Sequence, residues 1–196
     1  QFLKKKKNWY ERCVNFTNDK KLKYLDTPFN MKKFEKELKF NISYKQNFVE
    51  YSPIATKYLK TITNKIKIND GGILIIDYAY LEKKMKNTLQ AVSKHKYCDV
   101  LKNYRNCDIT YNLSLNLIDT ITKKLGSCSS HITTQKKFLT KLGILNRAEI
   151  LSKNMTFSKK ADIYFRIKRL LNKSQMGHLF KVMLITNHKN KFTLGF

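Results

Sequence analysis

The longest unbroken apolar run is Gly71-Gly72-Ile73-Leu74-Ile75-Ile76-Asp77-Tyr78-Ala79-Tyr80, entered through two glycines and left through an acid between aromatics. A strand covered on both faces shows no alternation, so this run predicts a central parallel strand with function gathered after Asp77, past its carboxyl end. Upstream, apolar and polar residues alternate from Gln1 to Tyr24, interrupted by Lys4 to Lys7 and by Asn18-Asp19, which predicts a β-meander over residues 1–25. Residues 26–46 read as a polar surface excursion with a short helical pattern at Met31, Phe34 and Leu38, and residues 48–51 as a short strand.

Helical spacing then takes over. Ser52-Pro53 has the chemistry of a helix start, and Ile54, Tyr58, Leu59, Ile62 and Ile66 make one apolar stripe that stops at Asn69-Asp70. A helix leading into a covered strand is half of a crossover unit, which supports an α/β class. Residues 113–125, closed by Gly126, predict another helix with Leu113, Leu117, Ile118, Ile121 and Leu125 on its inner face. A short strand at 128–132 is followed by a helix begun by a threonine cap at Thr133-Thr134 that breaks at 142–144, and by stretches at 146–152 and 158–172, so that residues 134–173 form a helical region. Residues 176–185 predict a second core strand, paired in a terminal hairpin with residues 191–196. Residues 80–112 show no period, and a long irregular segment beyond a strand's carboxyl end is expected to bind something or cover a cleft.

Composition changes this picture little. The 196 residues suit one domain, and 42% hydrophobic content suffices for a core. The net charge of +26 invites a polyanion, but the charge is nearly all Lys, with Arg only at 12, 105, 147, 166 and 169. Arg is the residue that grips phosphate bidentately, so a nucleic-acid module is the weakest function class here. Cys13, Cys98, Cys107 and Cys128 are scattered without metal-ligand spacing, which predicts no metal site and free thiols in a reducing compartment. Triplets such as Asn15-Phe16-Thr17 arise by chance in so Asn-rich a chain. The opening Gln1-Phe2-Leu3 has no initiator Met and no signal-peptide core, and no run reaches membrane-spanning length, so the chain reads as one entered midway.

Several stretches together resemble one family: the S-adenosylmethionine-dependent protein arginine methyltransferases that serve respiratory complex I assembly, with their bacterial MidA-type relatives. They are residues 49–53 before a helix, Gly72 to Tyr80 as the family's glycine-pair strand with its Asp-Tyr exit, and Thr88-Leu89-Gln90-Ala91-Val92 with His95 and Tyr97. Asp108-Ile109-Thr110, Thr134-Gln135, Phe138-Leu139, Leu142-Gly143-Ile144 and residues 176–181 extend the likeness over nearly the whole chain. Two departures stand out. Tyr111-Asn112-Leu113-Ser114-Leu115 replaces a His-Val-Asp-Phe-like run, and Ala79 replaces a glycine at the strand exit.

The resemblance implies the C-terminal part of a Rossmann-like class I methyltransferase fold, a single partial domain with the meander inserted and residues 80–112 over the cleft. The glycine-rich loop and the ribose-binding acid of such a fold are absent from this chain, so S-adenosyl-L-methionine is expected to be held mainly by a missing N-terminal half, and the fragment alone is expected to be inactive. Thr88, Gln90, His95, Asp108 and Thr110 are implied at the cleft mouth. Holding a planar guanidinium for methyl transfer calls for a carboxylate and an aromatic wall, which Asp108 with Tyr78, Tyr80 or Tyr97 would supply. Equally open are a helix-capping role for Asp108 and Thr110 and a structural role for His95. Asp77 either nears the cofactor or binds backbone amides of the following turn.

The expected function is therefore methylation of arginine in a protein partner, a complex I subunit, in the mitochondrial matrix or a bacterial cytoplasm. A non-catalytic assembly factor, motivated by residues 111–115, is the alternative.

Overall fold

The computed structural model describes every residue except Lys20, Asn103 and Ser127. It divides into two compact units, one made of Gln1–Pro53 with Glu82–Asn112, the other of Ile54–Leu81 with Leu113–Phe196.

The first unit opens with the expected meander, β1 (Phe2–Lys5), β2 (Asn8–Phe16) and β3 (Leu22–Phe29). The third strand runs past residue 25 because Asp26 continues the ladder opposite Arg12, whose guanidinium Nε lies 3.1 Å from its carboxylate. Helix α1 (Met31–Leu38) is capped by Asn30, whose side chain accepts from the Lys33 amide. It brings Phe34 against Phe2 and Phe29, with ring centroids 5.4 and 5.5 Å apart, and this aromatic cluster is the unit's core. Strand β4 (Phe48–Val49) pairs with β1, and Val49 is fully buried.

In the second unit, α2 (Pro53–Asn69) forms where its Ser-Pro start predicts. Its inner face is Leu59, Thr63 and Ile66, whereas Ile54 and Tyr58, expected on that stripe, are 68% and 66% exposed. Strand β5 (Gly72–Tyr80) also forms and lies inside a four-stranded sheet, but residues 72–78 pair antiparallel with 180–186, and only Ala79 and Tyr80 pair parallel, with Leu113 and Ser114. Leu74 and Ile76 are 47% and 46% exposed. A run of Ile and Leu reports only that a strand is apolar; cover depends on what packs over it.

Back in the first unit, the segment expected to be irregular carries a small antiparallel sheet of β6 (Gln90–Ser93), β7 (Lys96–Cys98) and β8 (Asp108–Thr110), in the order β7-β6-β8. Strands of three or four residues are too short to show a period.

The second unit resumes with β9 (Leu113–Ser114), which pairs parallel with Ala79 and Tyr80, then α3 (Leu115–Leu125) and β10 (Cys128–Thr134). Thr134 caps α4 (Gln135–Lys141) by accepting from the Lys137 amide, and Gly143, at φ 77°, turns the chain into α5 (Ile144–Ser152) and then α6 (Phe157–Leu171). The predicted strand over 176–185 starts late. Met176–Leu179 is a short helix, α7, and the strand is β11 (Phe180–Asn187). The cause is Gly177, pressed so closely on the end of α6 that a Cβ there would sit 2.3 Å from the Leu171 carbonyl oxygen.

The expected terminal hairpin does not form. In the order β10-β11-β5-β9, β11 is paired antiparallel along both edges, from Cys128↔Asn187 to Thr134↔Lys181 on one side and from Gly72↔Thr186 to Tyr78↔Phe180 on the other. No edge remains for residues 191–196, and the Phe196 ring instead lies 5.3 Å from that of Phe138.

Candidate functional site

The sheet of β6, β7 and β8 carries most of the candidate residues. Lys94 and His95 form the two-residue turn between β6 and β7, both with positive φ of 50° and 62°, the backbone twist that suits a tight hairpin. His95 is therefore an exposed hairpin tip, not a buried structural histidine. On the other side of β6, the ladder sets Gln90 opposite Thr110 and Val92 opposite Asp108. The Gln90 amide nitrogen donates to the Thr110 hydroxyl at 3.2 Å. Thr88 pins the exit of the segment, its hydroxyl accepting from the Asn112 amide at 2.9 Å. Gln90, Thr110 and Thr88 are thus brought together, while His95 stands apart from them.

Asp108 is exposed at the start of β8 and lines an open groove of about 690 Å³ with Val92, Lys94, Arg105 and Cys107. Its carboxylate makes no ion pair among the described residues. The capping alternative fails on geometry: α3 begins at Leu115 with Ser114 as its cap residue, and neither Asp108 nor Thr110 reaches its amides. The Cys107 thiol is pushed above its ordinary range by burial, then by the Cys98 thiol and by Asp108.

The remaining candidates belong to the second unit. Asp77 is exposed, and its carboxylate accepts from the Tyr78 amide at 2.7 Å, a local backbone bond of the kind one reading expects, though to the next residue. The Tyr78 ring packs on Phe180 at 4.1 Å, and Tyr80 is a core residue at 7% exposure. Tyr97, in the first unit, is 79% exposed.

The fold has solved counterparts. A Burkholderia thailandensis protein bound to S-adenosyl-homocysteine superposes with a TM-score of 0.77 at 21% identity, over 100% of this chain and 51% of its own. A second, uncharacterised protein of the same superfamily and organism gives 0.76 at 21% identity, over 99% of this chain and 53% of its own. Among curated proteins, "Protein arginine methyltransferase NDUFAF7, mitochondrial" of Danio rerio is 25% identical over 139 residues, covering 71% of this chain and 32% of the relative. The chain thus spans about half of these structures and about a third of that relative.

The family model of S-adenosyl-L-methionine-dependent methyltransferases matches residues 1–134, and the chain belongs to that family. The cofactor of the family is S-adenosyl-L-methionine. The described residues do not by themselves make a cleft for it. Gly71 precedes β5 and Gly72 opens it, so neither belongs to a loop that follows a strand, and Gly72 is required by its neighbour, since a Cβ there would lie 2.9 Å from the Ile185 carbonyl oxygen. Asp77 offers an exposed acceptor, but one carboxylate is not a binding site. Among the described residues no cluster of His, Cys, Asp or Glu could hold a metal, and no helix is long and apolar enough to cross a membrane.

Proposed function

We propose that this chain is the C-terminal, substrate-side part of a methyltransferase that transfers the methyl group of S-adenosyl-L-methionine to arginine in a protein substrate, a respiratory complex I subunit. The observation that carries the reading is Asp108, an exposed carboxylate without an ion-pair partner in an open groove. A carboxylate so placed is free to take a guanidinium through paired hydrogen bonds, holding its charge and aiming one nitrogen. The name of the Danio rerio relative supports arginine as the acceptor. Lys94 and Arg105 on the same groove would select substrates with acidic residues flanking the target. The cofactor supplies the methyl group; the residues of this chain would orient and desolvate its acceptor.

The non-catalytic alternative rests on the altered 111–115 run. In the structure Leu113 and Ser114 complete the pairing of β5 and Leu115 is 1% exposed, so these positions serve packing. That weakens the case for lost chemistry.

The test is Asp108→Asn in the complete protein. Recognition through the carboxylate predicts a loss in kcat/KM of at least about a hundredfold, roughly 2.7 kcal/mol of transition-state stabilisation. Because Asp108 is exposed and unpaired, the melting temperature should hold, with stability changing by no more than about 0.5 kcal/mol. Methylation near the wild-type rate would overturn the assignment.

A further inference from the structure

Helices α5 and α6 pack on each other as a hairpin whose anchored end is the one away from their connecting turn. There the Gln135 side-chain amide donates to the Leu170 carbonyl at 3.0 Å, Gly177 presses on Leu171, and Gly143 turns the chain in from α4. The other end is the turn at residues 153–156, and neither helix buries any residue. Around that turn Phe157 is 87% exposed, the most of any large apolar side chain among the described residues, with Ile150 at 68% and Leu151 at 48%. Lys153, Lys159 and Lys160 are exposed among them, and no acid occurs from Ile150 to Ala161.

We propose that this hairpin docks tip first on an anionic lipid surface, with Ile150, Leu151 and Phe157 entering the headgroup boundary and the three lysines meeting the lipid phosphates. One exposed apolar residue needs no explanation, but three at the end of a hairpin, set among cations with no acid between them, match a surface that is apolar beneath and negative on top. Lysine suits the place, because its stem can lie along the acyl boundary while its ammonium reaches the headgroups. The proposal concerns where the protein works, and it stands whether or not Asp108 receives a guanidinium.

The geometry favours a membrane over a helix of a partner protein. A partner helix would seat in the groove between α5 and α6, whose walls include Ile163 and Ile167, yet the most exposed apolar side chain, Phe157, lies at the tip and outside that lining. Depth is also bounded. Surface-bound segments sink about 5–10 Å, whereas Phe165 lies about 12 Å further along α6 than Phe157 at 1.5 Å per residue. Phe165 is exposed as well, but a tip-first hairpin leaves it in water.

The experiment is flotation of the complete protein with vesicles of phosphatidylcholine alone and of an equal mixture of phosphatidylcholine and phosphatidylglycerol; aggregates sink and bound protein rises. The expected result is flotation with the anionic vesicles only. Ile150→Gln combined with Phe157→Gln lowers the partition coefficient at least about tenfold, the loss expected when a large apolar side chain is no longer buried. Lys159→Gln lowers it about fivefold, and Phe165→Gln leaves it within about twofold. The proposal is overturned if the protein stays at the bottom with both vesicles, as it would if a partner protein or another part of the chain covered the tip. It is also overturned if the Ile150 and Phe157 variant floats like the wild type, which would leave only the general positive charge of the chain, or if Phe165→Gln weakens binding as much. All these side chains are exposed, so the variants should keep the wild-type melting temperature, and Lys159→Gln, which removes no apolar contact, tests the surface separately.

Discussion

Strands β5 and β11 are neighbours of almost the same composition, and their fates differ. Ile73-Leu74-Ile75-Ile76 runs in register against Val182-Met183-Leu184-Ile185, so Ile76 faces Val182 and Leu74 faces Leu184 on one side of the sheet. On that side Val182 and Leu184 are 0% and 7% exposed, whereas Ile76 and Leu74 are close to half exposed. The same surface is covered over β11 and open over β5. Hydropathy alone cannot separate the two strands, because it records what a residue would gain from burial and not whether a neighbour provides it. The edge of β5 facing away from β11 is likewise paired only at Ala79 and Tyr80 among the described residues. An open apolar face beside an unpaired edge is the surface that the portion of the longer protein proposed above would cover.

Substitution on the two strands tests this directly. Met183→Ala removes a fully buried side chain and should cost about 2–5 kcal/mol in urea unfolding, while Leu74→Ala should cost under about 1 kcal/mol in this chain. The contrast sharpens in the longer protein: if the remaining portion covers β5, the Leu74→Ala penalty there rises to about 2 kcal/mol or more. An equally small penalty in both settings would break the docking reading.

Next in size is Gly177→Ala. Its Cβ would meet the Leu171 carbonyl oxygen at 2.3 Å, with backbone on both sides of the clash, so the junction of α6 and α7 must shift. Overpacking of this kind costs about 1–3 kcal/mol, and the lowered unfolding midpoint should appear without loss of strand signal in circular dichroism. An unchanged midpoint would show that β11 is set by its pairing alone.

The smallest effect lies in the other unit, where an ion pair and not burial is at stake. Hydrogen bonds from Arg12 and then Lys5 hold Asp26 below its ordinary 3.8, with burial opposing them. A carboxylate depressed on folding contributes stability above its unfolded value, and that contribution is lost as pH falls toward the folded one. Asp26→Asn should cost about 0.2–1 kcal/mol at neutral pH and flatten the acid limb of the stability curve below about pH 5. Parallel acid limbs for the two proteins would refute the coupling.

What was legible in the sequence were features whose cause is local. The meander, the Ser-Pro start of α2, the threonine cap of α4 and the Leu142-Gly143 break need only neighbouring residues to act. What was not legible is set at a distance. The exposure of Ile54 and Tyr58 depends on what faces α2, and the failure of residues 191–196 to pair depends on β10 already occupying the edge of β11. The strands of residues 90–110 escaped because their hairpin turns on Lys94-His95, where Asn-Gly would have announced it. Of the candidate residues, the sequence named Asp108, Gln90 and Thr110 but gave no sign of the pairing that sets Gln90 opposite Thr110.

The first unit draws on two separated pieces of chain, and this bears on the order of events during synthesis. Gln1 reaches Asn87 through its side-chain amide at 3.1 Å, and Gln46 bonds the Lys83 carbonyl and the Met85 amide at 2.8 and 2.9 Å. These contacts span the whole of α2 and β5 in sequence. A meander leaving the ribosome can form its hairpins at once, since they close short loops, but it cannot acquire those partners until residues 83–87 have emerged. For that interval its exposed Val14 and Phe16 are accompanied by side chains still waiting for their bonds. Slowing translation between residues 54 and 81 should lengthen the interval and raise the demand for chaperones, while slowing it after residue 112 should not.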